Sequence, residues 1–225
     1  MITLSHLVYD IKQIATSGSL PNDFDLSNET IIYWIEQTRA ILIAQSFEKK
    51  DQINDSFIQY LPCIKMEEVV NSNCCDGPQD CKILRSVKKI PGTVDSYLDN
   101  MIISVKTPSG EMIPKSNPFK SMYQNNLKYS KGKRSWYIKD DYLYVINEKF
   151  LDYVDIAGLF ESPSDLGNYS TCSGQSCFTV DSEYPVSMNL ATQITNIVIK
   201  DKIMPFLRMP KDDIEDGKDS RVNKG

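Results

Sequence analysis

The chain has 225 residues, of which 41% are hydrophobic and 24% charged, with a formal net charge of −5. These are globular proportions, and they exclude wholesale disorder, collagen and a coiled-coil rod; a chain this long buries roughly 70% of the surface its unfolded form exposes. The acidic balance argues against a protein whose main task is to coat duplex DNA, because that affinity comes mostly from neutralised phosphates.

The first predicted element is a helix from Ile2 to about Thr16. Leu4, Leu7, Val8, Ile11, Ile14 and Ala15 recur at helical spacing and make one apolar stripe, and Ser17, Gly18 and Pro21 end it. No apolar run reaches the 18 residues of a membrane span, and the amino terminus lacks the pattern of a signal peptide, so the expected setting is a cytosol and no membrane. The sequons at Asn28, Asn54 and Asn168 would matter only in a secreted protein.

A longer helix is predicted from about Asn28 to Glu48. Ser27 is its N-cap, Leu26 and Ile31 are spaced as a hydrophobic staple, and Glu29 places a negative charge in the first turn. Its apolar set, Ile31, Ile32, Trp34, Ile35, Ile41, Leu42, Ile43 and Phe47, is too wide for one stripe facing one core. Such a helix is either sandwiched within its own domain or meets another subunit with part of that face.

From Ser56 onward the chain reads as β structure, with short Ile-, Val-, Tyr- and Phe-rich runs punctuated by Gly, Pro, Asn and Asp. The expected strands are Phe57 to Val69, bent at Pro62, then Lys82 to Ile90, Met101 to Lys106, Ser135 to Ile138, Tyr142 to Asn147 and Tyr153 to Phe160. Asp140 and Asp141 fit a tight turn, as does Thr107 to Gly110. Residues 161–183 form a long irregular stretch carrying Cys172, Gly174 and Cys177, of the kind that is functional or held by a partner. A last helix starts near Ser187, carries Leu190, Ala191, Ile194, Ile197, Val198 and Ile203, and is stopped or kinked by Pro205. The expected class is therefore α+β, with an N-terminal helical pair (1–52) and a C-terminal helix (187–209) packed on a mainly antiparallel sheet or sandwich (53–186), followed by a polar tail (210–225).

The chemical inventory holds few catalytic candidates. His6 is the one histidine, on the flank of the first helix, and reads as a surface or interface residue. Neither phosphate-cradling glycine motif occurs. The carboxylate pairs Asp140 with Asp141, Asp152 with Asp155 and Glu67 with Glu68 read as turn and surface acids. Cys74, Cys75 and Cys81 could gather with Cys63, or with a cysteine of the Cys172 to Cys177 loop, around zinc; the alternatives are disulfides formed in an oxidising environment, or free thiols. The stretch from Lys128 to Lys139 interleaves bases and aromatics. Lys131, Lys133 and Arg134 with Trp136 and Tyr137 are either nucleic-acid contacts or a hairpin with a charged tip and aromatic core residues.

Five stretches carry a resemblance. They are ETIIYWIEQTRAILIAQSF from Glu29 to Phe47, YLYVIN from Tyr142 to Asn147, DYVDIAGLFESPSD from Asp152 to Asp165, SEYPVSMNLATQITNIVIKDKI from Ser182 to Ile203, and KDDIEDGKD from Lys211 to Asp219. In this order they resemble the ring or head-to-tail connector proteins of crAss-like and related short-tailed bacteriophages. The resemblance implies a noncatalytic virion subunit without a cofactor, assembled in the host cytoplasm, one of twelve in a ring below the portal that continues the DNA channel and docks the next tail component. On this reading Trp34, Ile35, Arg39 and Leu42 at the subunit interface pack within or between subunits, and the tail from Pro210 to Gly225, with Lys211, Asp212, Asp213 and Ile214, reaches the portal or an adjacent ring. The cysteine-bearing loops have no role assigned by the family.

Overall fold

A computed structural model describes residues 2–16, 26–50, 54–69, 83–94, 101–117, 133–148 and 150–207. Helix α1 (Leu4–Ala15) begins where the Thr3 hydroxyl accepts the His6 N–H, and buries Leu4, Leu7, Val8 and Ile11. Ile14 was expected on that stripe but is exposed, because it stands at the stripe's edge in the last turn, while Ala15 and Thr16 still meet the core. Helix α2 (Asn28–Lys50) starts as read: the Ser27 hydroxyl accepts the Thr30 N–H, and Leu26 and Ile31 are both buried.

Seven strands follow: β1 (Gln59–Glu68), β2 (Ile83–Ser86), β3 (Ile102–Lys106), β4 (Met112–Ile113), β5 (Ser135–Lys139), β6 (Tyr142–Ile146) and β7 (Tyr153–Gly158). They lie in the order β4-β3-β7-β1-β2-β6-β5, and every neighbouring pair is antiparallel. Strand direction therefore alternates across the sheet, and with seven strands the two edges must run the same way. They nearly meet: Trp136 N–H donates to Pro114 C=O at 3.0 Å, Ser116 N–H donates to Trp136 C=O at 2.7 Å, and Lys115 and Trp136 form a parallel bridge. The sheet is thus almost a closed barrel rather than a sandwich, and its edges cover each other. Leu61, Ile64, Leu84, Val105, Leu143, Val145, Val154 and Ile156 fill it.

The turns follow their sequence chemistry. Asp140 and Asp141 both have positive φ, +53° and +66°, as a two-residue hairpin turn of the I′ kind demands. The β3–β4 hairpin closes through Thr107 N–H donating to Glu111 C=O, with Gly110 at φ +88°. The bend expected at Pro62 is a bulge: Leu61 pairs with Ile156 and Ile64 with Val154, so Pro62 and Cys63 together face Asp155 alone. Strand β2 is shorter than expected because the Ser86 hydroxyl donates to Lys88 C=O and turns the chain.

Helix α3 (Met188–Ile197) is capped by Ser187, whose hydroxyl accepts the Leu190 N–H. It runs into a π turn (Val198–Ile203) and then the short helix α4 (Met204–Leu207). Pro205 therefore does not stop the helix. In an α-helix Ile203 would lie about 140° round from Val198. The wider turn brings both into the core, and it precedes the residue that lacks an N–H. One continuous buried cluster joins α1, α2 and α3 to the barrel interior.

Candidate subunit and partner surfaces

Arg39 is the largest charged side chain in the core and is 0% exposed. Its Nε donates to Pro185 C=O (3.1 Å), its Nη1 to Phe160 C=O (2.8 Å), and its Nη2 to Phe57 C=O (3.4 Å) and Gln59 Oε1 (3.3 Å). The guanidinium also lies 5.8 Å from the Tyr184 ring centroid. One planar fork thus ties α2 to the start of β1, the chain just past β7 and the lead into α3, which places the helices over one end of the barrel. Burial pulls its pKa down, and the group remains a cation.

Glu36 sits one turn earlier. Its carboxylate accepts Ser164 N–H at 2.8 Å and the Ser164 hydroxyl at 3.0 Å, fastening a 3₁₀ turn (Pro163–Asn168) to α2. Burial is the largest influence on it and raises its pKa, against the two serine bonds.

These contacts bear on two expectations. Ile35 and Arg39 are wholly buried within their own chain, the packing within a subunit rather than between subunits. The stretch 161–183 is anchored in the chain's own fold, since Glu36 holds its beginning and Leu166 and Phe178 are buried in the core. Ser5 N–H also donates to Val180 C=O.

The outward side of α2 differs. Tyr33 and Ile41 are 61% and 52% exposed, two turns apart, and Trp34 and Leu42 beside them are only half-buried. A second apolar projection is Phe150, 92% exposed, on a shallow cleft of about 470 Å³ shared with Glu111, Arg134, Asp152 and Tyr153. The cleft lies where β7 begins, at the opposite end of that strand from the carbonyl gripped by Arg39.

The described part of the basic and aromatic stretch is Lys133, Arg134 and β5. Trp136 is buried at the barrel seam, and Tyr137 stacks on Tyr144 with centroids 5.1 Å apart. Arg134 bonds to Glu111 and Glu148, each at 2.8 Å, so its charge is neutralised twice. Its described residues lead into and form one strand of a hairpin whose tip is Asp140 and Asp141, and Trp136 is no stacking platform for a base. Lys128 and Lys131 lie outside the described residues, as do Cys74, Cys75, Cys81 and the tail residues Lys211, Asp212, Asp213 and Ile214.

Cys63 is paired with Cys172, Cα to Cα 5.4 Å, which takes it out of a zinc set. Among the described residues no group of three or more metal-ligating side chains comes together. His6 is exposed, its Nδ1 3.0 Å from the Thr3 hydroxyl. Lys89 holds Asp141, Glu67 pairs with Arg85, and Asp155 accepts the Cys63 N–H, so these acids serve turn, surface and bulge. No described helix is long and apolar enough to cross a membrane.

What the described residues assemble is a packing scaffold with surfaces to offer: a nearly closed barrel, three helices over one end, and apolar side chains left outside. Its sequence family is explicit. The chain belongs to the phage tail ring protein 2 family of crAss-like phages, which matches residues 6–220. No match was found among curated proteins.

Proposed function

We propose that the protein is a noncatalytic virion subunit that closes a homo-oligomeric ring, of twelve copies, in the head-to-tail connector. The ring continues the DNA channel below the portal and docks further tail proteins, and it is assembled in the host cytoplasm. The observation that carries this reading is the family match across residues 6–220. The uncovered side of α2 supports it, because a ring built by head-to-tail contacts needs apolar area outside the fold of each copy. Trp34 and Leu42, with Tyr33 and Ile41, are the proposed subunit contacts, and the tail from Lys211 to Ile214 reaches the portal or an adjacent ring. A net charge of −5 suits a channel through which DNA must slide, since phosphate is not gripped.

Native mass spectrometry of the protein alone, and then with the portal protein, tests the reading. A closed ring, or a monomer that assembles on the portal with matching symmetry, is the expected result. A monomer indifferent to the portal would overturn it.

A further inference from the structure

The hairpin at residues 170–176 is held to the rest of the molecule in an unusual way. Among the described residues, its hydrogen bonds close on themselves or on the segment 167–178. Ser170 bridges Ser176, Thr171 N–H donates to Gln175 C=O, and Gly174 N–H donates to Thr171 C=O. The Ser176 hydroxyl is placed to donate to Gly167 C=O or Phe178 C=O, and Cys177 N–H donates to Tyr169 C=O. The base of this loop is anchored, by Leu166 and Phe178 in the core and by the Tyr169 hydroxyl on Lys89 C=O. Among the described residues, what fastens the exposed tip to the barrel wall is the bond from Cys172 to Cys63.

The barrel wall is shaped to offer that sulfur. Leu61 and Ile64 both point into the barrel, which three residues of regular strand do not permit. The bulge resolves this by placing the extra residue outside, with Cys63 in the left-handed region at φ +57° and its N–H held by the Asp155 carboxylate at 2.9 Å. A non-glycine residue in that conformation is held there by its surroundings, and here they leave the cysteine side chain on the outer wall opposite the hairpin.

The geometry points to a redox latch: the 170–176 hairpin is loose while Cys63 and Cys172 are thiols and locked to the barrel when they are joined. Closing it removes two protons and two electrons from the two thiols. A disulfide oxidant of the glutathione class takes up the electrons and leaves as two thiols. A chain made in a reducing compartment starts unlatched, and one carried into an oxidising medium becomes latched. The inference stands on the two cysteines and the bulge and is independent of the ring reading.

The test is hydrogen exchange of the full chain, oxidised with glutathione disulfide and then reduced with a phosphine, beside non-reducing peptide mapping. Mapping is expected to join the peptides holding Cys63 and Cys172. On reduction, amides at 170–177 should exchange at least several-fold faster while β6 and β7 keep their rates. Cys172→Ser should show the fast hairpin under both conditions, and Cys177→Ser should behave as wild type. Pairing of Cys172 with Cys177 or any cysteine other than Cys63, or equal hairpin exchange in both states, would overturn the latch.

Discussion

Tyr184 and Glu36 are polar groups whose burial runs against their chemistry, and each makes a sharp prediction. The Tyr184 hydroxyl is buried without a hydrogen-bond partner among the described residues, and burial pushes its phenol far up, so it stays neutral. The ring packs edge-on to Phe178 and near Arg39, whereas the oxygen is only desolvated. Tyr184→Phe should therefore leave stability unchanged or raise it by up to about 1 kcal/mol in urea denaturation, where a tyrosine with a bonded hydroxyl would lose about that much. For Glu36, a folded pKa above the unfolded one means that the neutral carboxyl is favoured in the native state. That contribution is complete below the ordinary glutamate value of about 4.3 and is lost as pH rises through the raised native value. Glu36→Gln should then melt above wild type at pH 7, with the gap closing as the pH falls below about 4; a gap that widens in acid would contradict the assignment. Arg39 is the opposite case, a buried cation with four acceptors on three parts of the chain. Arg39→Met should cost about 3 kcal/mol or more, because it strands the buried acceptors that the guanidinium satisfies.

At the scale of elements, the local signals read well and the pairings did not. Ser27 and Ser187 cap helices where the sequence places caps, and removing either hydroxyl should cost about 1 kcal/mol, seen as a small fall in Tm for Ser187→Ala. The aspartate pair turns the β5–β6 hairpin as its composition requires. By contrast, β4 has only two residues, too short a run to stand out from its surroundings, and it exists because β3 pairs with it and the residues just past it, Pro114 to Ser116, meet β5 at the seam. The π turn was equally hidden, since Pro205 announces a disturbance but not that the helix resumes beyond it. Trp136 shows the same limit. Its basic and aromatic neighbours suit a binding surface, yet it plugs the barrel seam with the Lys115 ammonium 5.3 Å from its ring centroid. Trp136→Ala should cost about 3–5 kcal/mol through the cavity it leaves.

For the whole molecule, the question is which apolar side chains are spare. Helix α2 carries more of them than its own core uses, and the excess is Tyr33 and Ile41, beside the half-buried Trp34 and Leu42, which also pack against the core. If these close a ring, Ile41→Asp should weaken association about tenfold or more in native mass titrations while the monomer's melting temperature stays within a degree or two. A chain ending at Met209 should fold normally but lose docking to the portal or adjacent ring. Full docking by that truncated chain would remove the role given to Lys211, Asp212, Asp213 and Ile214.

The helix positions, most strands, both tight turns and the α+β class were legible from residue order alone, because caps, periodicity and turn chemistry act over a few residues. The excess apolar face of α2 was legible too, but not which of its residues were spare. Only the folded chain shows that Arg39 and Ile35 are used internally while Tyr33 and Ile41 are not, since α2 is covered by segments from as far away as Pro185. The same holds for the near-closure of the barrel and for the pairing of Cys63 with Cys172, 109 residues apart in the chain. Contacts between distant segments leave no local pattern; they are settled when strands and helices compete for one core, and tertiary packing decides them.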